Sequence, residues 1–570
     1  MYIAVVPNRS SPPAILLREG YREGGKVKNR TLANLSKLPP EAIEALRRVL
    51  KGQHLVSSEE LFEIVEDGSR AHGNVEAVVT AMHRLKFPSL ISSRPCRERD
   101  LVVAMVAGRI LKAQSKLAMT RWWSCTTLPE MLNVDSADED ELYEAMDWLL
   151  KRQSRIEKKL ARRHLEEGGL ALYDLTSSYF EGLTCPLAKI GHNRDGKKGK
   201  LQVNYGLLTN KAGVPVAVSV FDGNSGDPKT LLPQVEKIRA EFGISRFVLV
   251  GDRGMITQKQ VDALRRVENT DWITALRPEA IRKLLMDGCI QMGLFDERNL
   301  FEIEHPDWPG ERLVACLNHE LAERRRIKRT DLIQATVTEL EKVRGMVSRG
   351  RLRDKAKIGI RVGKVVNKYK MAKHFVLTID DDSFEYSIDQ DKVNQEAALD
   401  GIYVIRTSLE KQAMSADDAV RNYKQLANVE RAFRCLKSVD LMVRPIRHRL
   451  EERVRAHVFL SVLAYYVQWH MVEAWRPMLF ADEDQDAKNH RDPVSPAARS
   501  QAARKKVATK RLDDGSRAHS FRTLLDHLGE IVKNTCRYVD SKPDSPTFDM
   551  VTSPNPTQLR ALELLRSIAL

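Results

Sequence analysis

Leu170-Ala171-Leu172-Tyr173-Asp174-Leu175-Thr176-Ser177-Ser178 is the stretch on which the reading of this chain turns. Its first four residues are apolar without helical spacing and follow Gly168-Gly169, so they read as a strand entering a sheet. The same texture returns in Phe247-Val248-Leu249-Val250-Gly251-Asp252. Apolar runs without polar alternation are what strands covered on both faces look like. Each run ends in an aspartate, which predicts two carboxylates at strand ends, where open α/β sheets bind ligands. Taken alone, each Asp has a plainer account as a cap or turn former, and Gly251-Asp252-Arg253-Gly254 has turn composition.

The rest of an α/β sheet surrounds these runs. Arg194-Asp195-Gly196-Lys197-Lys198-Gly199-Lys200 is a basic, glycine-rich loop. Val203 to Thr209 and Pro215 to Phe221 read as a hairpin turning at Asn210-Lys211-Ala212-Gly213. Thr230 to Phe242 and Gln258 to Val267 read as helices, and Trp272 to Leu276 as a strand. Between Arg277 and Gly401 the order breaks. Phe301 to Val314 and Phe375 to Ile388 are β-rich, with a long charged helix over Leu321 to Val347 between them. That pattern predicts an insertion. A further strand, Ile402 to Thr407, leads to a helix beginning near Asp417 that carries Tyr423, Glu430 and Lys437 seven residues apart. Seven residues are almost two turns, so a phenol, a carboxylate and an ammonium share one face. A strongly apolar helix over Val454 to Trp475 follows.

Before residue 168 the pattern is β over about residues 1–36, then helical from Pro40 to about Glu167. This predicts a mainly helical N-terminal region, with basic residues clustered at Lys26, Lys28 and Arg30. Helical periodicity does not separate a plain bundle from a DNA-binding domain. Beyond residue 475, Arg499 to Arg511 has six basic residues and no acid, which predicts a flexible or DNA-contacting arm. Ser520 to Tyr538 reads as an amphipathic helix. The expected division is 1–168, a catalytic core in 169–278 and 400–475, a β-rich insertion in 279–399, and a basic region in 476–570.

At 570 residues the chain is too long for one core. Its net charge of +15 favours a polyanionic partner. The seven cysteines form no close pair, which argues against a zinc site or disulfide framework. No apolar run is long enough to span a bilayer, so a cytoplasmic location without membrane association is expected.

Asp174, Asp252 and Glu430 together suit a metal-dependent nuclease. Mg²⁺ takes hard oxygen ligands and keeps several waters, and Mn²⁺ is expected to substitute. Two such ions about 4 Å apart activate a water or a DNA 3′-OH and stabilise the leaving oxygen. Lys437 and Tyr423 are candidates for phosphate contact near Glu430, as is Arg253 beside Asp252. Lys198 and Lys200, with His192 and Lys197, lie in a loop able to track a DNA backbone. An ordinary solvated surface is the alternative for each. Trp272 is a candidate for stacking a flipped base, with a core role as the plainer account. His457 and Trp122-Trp123 read as packing residues.

Three ordered blocks carry a family resemblance over about residues 170–475: Tyr173-Asp174-Leu175-Thr176-Ser177-Ser178-Tyr179-Phe180-Glu181, Val250-Gly251-Asp252-Arg253-Gly254, and a Tyr-x2-Arg-x3-Glu-x6-Lys pattern falling on Tyr423, Leu426, Glu430 and Lys437. The chain resembles bacterial insertion-sequence transposases of the DDE class, in the broad insertion-sequence-four group. Val6-Pro7-Asn8-Arg9-Ser10 and Arg30-Thr31-Leu32 resemble its branch of longer elements with this Asp-Leu-Thr block. Leu426 departs from the usual Arg, and Arg431 or Arg434 is the candidate replacement. The resemblance implies a ribonuclease-H-like core interrupted by a β-rich insertion, with Asp174, Asp252 and Glu430 as catalytic metal ligands. It implies cleavage at transposon ends and joining of the 3′-OH to target DNA. A homodimer is expected, because two ends must be held together. A nuclease without strand transfer and a non-catalytic DNA-binding derivative are the competing readings.

Overall fold

The computed structural model describes residues 1–9, 11–53, 61–485, 490–539, 542 and 544–569, so Ser10 lies outside the described residues. The chain divides into two compact units, Met1–Arg70 with Val532–Thr552, and Ala71–Ile531 with Ser553–Leu570.

In the first unit, β1 (Tyr2–Val6), β2 (Ala14–Glu23) and β3 (Lys26–Asn34) form an antiparallel sheet. Gly24 and Gly25, both at positive φ, supply the tight turn between β2 and β3. Helix Pro40–Leu50 begins at its proline, as its sequence predicts. Two expectations are corrected nearby. The region after Pro40 is not helical throughout, because β4 (Phe62–Ala71) interrupts it. The helix expected over residues 520–538 stops at Leu528, and Val532–Tyr538 is a strand paired with β4 on one side and Phe548–Val551 on the other. Tertiary pairing decides this segment, whose Val532, Thr535, Cys536 and Tyr538 suit a strand as well as a helix.

The second unit is built on an eight-stranded mixed sheet. In chain order its strands are β5 (Leu170–Tyr179), β6 (Gln202–Thr209), β7 (Pro215–Asp222), β8 (Phe247–Val250), β9 (Thr270–Ala275), β10 (Leu300–Ile303) and β11 (Arg312–Leu317). After a separate hairpin, β12 (Phe375–Ile379) and β13 (Phe384–Ile388), comes β14 (Ile402–Thr407). The spatial order is β10-β11-β14-β9-β8-β5-β6-β7. Strand β6 runs antiparallel to both β5 and β7, whereas β8 and β9 run parallel to β5. All four residues of β8 are buried, as its unbroken apolar run demands. The sheet therefore continues past β9 through β14, β11 and β10, all antiparallel.

Helix Glu451–Ala474 is buried without a break from Ala456 through Gln468. It packs against β7 on one side and against helices Arg97–Leu111 and Glu139–Leu150 on the other. Its all-round apolar surface is what a helix sandwiched between layers requires. One continuous core runs through this helix, the N-terminal helices and the strands from β5 to β9. Helices His319–Ser348 and Lys355–Tyr369 share a separate core with β12 and β13, centred on Leu340, Val343, Ile358 and Phe375. The predicted basic arm at 499–511 is corrected in part. Gln501–Thr509 is a helix capped by Ser500, with Ala503 and Lys506 buried and Lys506 paired with Glu483. Among the described residues no helix is long and apolar enough to cross a membrane.

Candidate active site

Strand β5 is longer than its apolar run suggests, because antiparallel pairing with β6 carries it on to Tyr179. Asp174 therefore sits in mid-strand opposite Leu207, not at a strand end. The backbone N–H of Leu175 donates to its Oδ1 at 2.7 Å. Asp252 lies two residues beyond β8 in the adjacent parallel strand. Its Oδ1 accepts from Gly254 N–H at 3.0 Å and Met255 N–H at 2.7 Å. The turn-forming account of Asp252 thus holds, and the turn aims the same carboxylate at the cleft. A side chain fixed by its own backbone is a good ligand holder, since little freedom is left to lose.

The third carboxylate arrives from 178 positions further along the chain. The helix predicted from Asp417 is two, Ala416–Lys424 and Leu426–Arg434, divided at Gln425, and a wide π-helical turn over Cys435–Val439 ends it. Ser415 caps the first of these helices. Val429, Ala432 and Phe433 are buried, whereas Glu430 is exposed at the edge of that buried face. The β6–β7 turn touches this helix. Asn428 Nδ2 donates to Lys211 O at 3.0 Å, and at Gly213, with φ of 87°, a Cβ would come within 2.8 Å of Asn428 Cβ.

Asp174, Asp252 and Glu430 line one open cleft of about 540 Å³, together with Asp195, Asp227, Arg194, Arg434, Lys437 and Arg444. Five carboxylates thus share the cleft. Asp227 is paired with Arg194, and Asp195 with Lys437 and Arg444. Asp174, Asp252 and Glu430 have no ion pair among the described residues. Burial, helped by the Asp252 and Glu430 charges, pushes the Asp174 carboxyl up to about 7. Tyr423, half-buried, is pushed up to about 12 by burial first and then by Asp252, so its phenol stays neutral.

The donor set fits a hard divalent cation, with three unpaired carboxylates whose mutual repulsion a cation would relieve. Among the described residues no three His, Cys, Asp or Glu side chains already close around a single point. Glu430 is exposed and has no hydrogen bond among the described residues.

The remaining candidates fall in different places. Arg434 lines the cleft, whereas Arg431 is exposed and donates to Asn428 Oδ1. Leu426 packs against the core. Arg253, Lys198 and Lys200 are exposed. Lys437 is 9% exposed and turned to Asp195. Trp272 is 3% exposed, so it is placed as a core residue and not as a base platform. Trp123 is likewise core, and His457 is packed, its Nε2 3.0 Å from Val443 O. Sequence reasoning missed Asp195, Asp227, Arg194 and Arg444. Asp195 stood in a run read only for its basic residues, and Arg444 in a segment without periodicity.

Residues 183–467, half of the chain, match the transposase DDE domain family. The chain belongs to the DDE transposase family. Residues 3–64 match the N-terminal domain of IS1634 family transposases, which makes this an insertion-sequence DDE transposase. The DDE match takes in Asp252 and Glu430 and begins after Asp174. No curated protein matches this transposase. Among solved structures it is similar to a cryo-EM structure of the piggyBac transposase synaptic complex with hairpin DNA, at 10% identity and a TM-score of 0.33, over 80% of this chain and 79% of that one.

Proposed function

We propose that this DDE transposase cleaves the ends of its own insertion sequence and joins the freed 3′-OH to target DNA by two-metal-ion phosphoryl transfer. Asp174, Asp252 and Glu430 hold the ions, Mg²⁺ or in its place Mn²⁺. The observation that carries this reading is the division of the cleft's five carboxylates. Two are neutralised by arginine and lysine, and the three without an ion pair among the described residues are those from β5, the β8 turn and the helix after β14.

When bound, the ions activate the attacking oxygen and stabilise the leaving one. The chain's own groups do the rest. Hydrogen bonds from Leu175, Gly254 and Met255 fix two carboxylates. Arg434, Arg444 and Lys437 set positive charge on the cleft wall for the phosphodiester. Tyr423, kept neutral, offers a hydrogen-bond donor beside the carboxylates. Arg253 and Arg431, with Lys198 and Lys200, extend the basic surface along the DNA backbone.

The order β7-β6-β5-β8-β9, with three antiparallel strands and then two parallel ones, supports a ribonuclease-H-like core. The separate core of helices His319–Ser348 and Lys355–Tyr369 supports an insertion within 279–399. We extend the reading to a homodimer holding two terminal inverted repeats, acting on double-stranded DNA in a bacterial cytoplasm, within the insertion-sequence-four group.

The test is purified protein with Mg²⁺ and DNA carrying the element's own terminal repeats. Cleavage followed by joining is expected. Asp174→Asn, Asp252→Asn and Glu430→Gln should each lower cleavage at least about a thousandfold while DNA binding persists. A variant that still cuts at the wild-type rate removes its residue from the site. Binding without cleavage by the wild type would leave the non-catalytic reading.

A further inference from the structure

We infer that Asp195 is a positioning residue for strand cleavage, a buried carboxylate that registers the Glu430 helix against the strand of Asp174. This rests on the metal-dependent cleavage proposed above and names a residue outside its three carboxylates.

Three separate elements converge on Asp195, whose side chain is 2% exposed. The backbone N–H of Tyr179, at the end of β5, donates to Oδ2 at 2.9 Å. Lys437 Nζ, on the π-helical turn that ends the Glu430 helix, donates to Oδ1 at 3.1 Å. The Arg444 guanidinium, on the segment leaving that turn, reaches the same oxygen. The loop presenting Asp195 is itself pinned. Asn193 Oδ1 accepts from Asp195 N–H at 2.8 Å and from Lys197 N–H at 3.2 Å, and Arg194 N–H donates to Ser177 Oγ on β5.

The consequence is geometric. Asp174 is held by β5, and Glu430 by a helix whose sequence is remote from it. Asp195 is a charged bridge between those two elements on the cleft wall itself. A buried carboxylate facing two cations cannot be exchanged for a neutral group without leaving positive charge uncompensated. The bridge also fixes Lys437 and Arg444, two of the cations that line the cleft. Preorganised charge of this kind acts on the rate and not on affinity, because it needs no rearrangement when charge develops.

The experiment is Asp195→Asn, which keeps the shape and an acceptor for Tyr179, measured by single-turnover cleavage of terminal-repeat DNA. DNA affinity and thermal melting are recorded on the same preparations. The expected result is a cleavage rate at least about tenfold lower at saturating DNA, with affinity unchanged or tighter because Lys437 and Arg444 are released. In a background with both Lys437→Ala and Arg444→Ala the same change should have little further effect, since both cations of the bridge are already gone. A wild-type rate in folded Asp195→Asn, or an effect of Asp195→Asn that is undiminished when Lys437 and Arg444 are both alanine, overturns the inference. Loss of rate fully explained by a lower folded fraction overturns it as well. Absence of cleavage by the wild type instead overturns the functional reading on which it stands.

Discussion

Lys116 is placed where a charge is least favoured. It is 4% exposed and is the first residue of helix Lys116–Trp123, at the positive end of the helix dipole. Its surroundings are cationic too. Arg109 is 3% exposed and donates to Leu441 O and Met442 O, and His448 and His457 sit beside it. Burial, then Arg109, lowers the Lys116 ammonium to about 7, and burial first of all takes His457 well below its ordinary value. The folded state therefore holds its proton more weakly than the unfolded chain. Below about pH 7 both states are charged and the destabilisation is complete; above about pH 10.5 both are neutral and it is gone. Lys116→Met should raise stability by about 1–4 kcal/mol near neutral pH, with the gain fading as pH rises through that window. Denaturant unfolding of both proteins at several pH values measures it, and a gain independent of pH would contradict the electrostatic cause. The three proposed metal ligands were legible in sequence because each interrupts a regular pattern, two after apolar runs and one on a polar helix face. The Asp195 bridge was not, because Asp195 and Lys437 stand 242 residues apart and only the folded sheet brings them together.

At the scale of elements, the strands were read best where burial leaves one solution. The apolar run of β8 and the hairpin β6–β7 required little beyond period and turn composition. Element ends were read worst where long-range pairing sets them, as in β5, which runs on because β6 offers a ladder as far as Tyr179. Packing between these strands is tight enough to test. Gly206 on β6 pairs with Leu175, two pairs from Tyr173, and a Cβ there would fall 2.0 Å from the Tyr173 hydroxyl. Tyr173 is fully buried, so its ring has no room to turn away. Gly206→Ala should destabilise the protein by about 1–3 kcal/mol through overpacking, lowering Tm by several degrees. Because Asp174 is the next residue, cleavage should also slow in the fraction that remains folded. A variant that melts and cuts like the wild type would show that the sheet yields more easily than its contacts imply.

At the scale of the whole molecule, the sequence conveyed a basic, multi-core protein but not how its ends are used. Val532–Thr552 joins a unit otherwise built from the first seventy residues. Helix Pro556–Arg566 returns to the other unit, where Trp475 Nε1 donates to Ala561 O at 2.9 Å. Periodicity along the chain carries no signal for such returns, since it reports faces and not partners. The charge is the property that belongs to the molecule as a whole. A net +15 with exposed Arg253, Arg431, Lys198 and Lys200 near or beyond the cleft implies that DNA affinity comes largely from counterion release. Each phosphate neutralised contributes a slope of about −0.9 in the logarithm of affinity against that of salt. With six or more contacts expected, affinity for duplex DNA should fall about a thousandfold between about 50 and about 200 mM salt. Removing Lys198 and Lys200 together should flatten the slope by roughly two contacts while leaving the cleavage rate of bound DNA unchanged. Fluorescence anisotropy over a salt series measures both, and a slope indifferent to these lysines would move the DNA path away from the loop that follows β5.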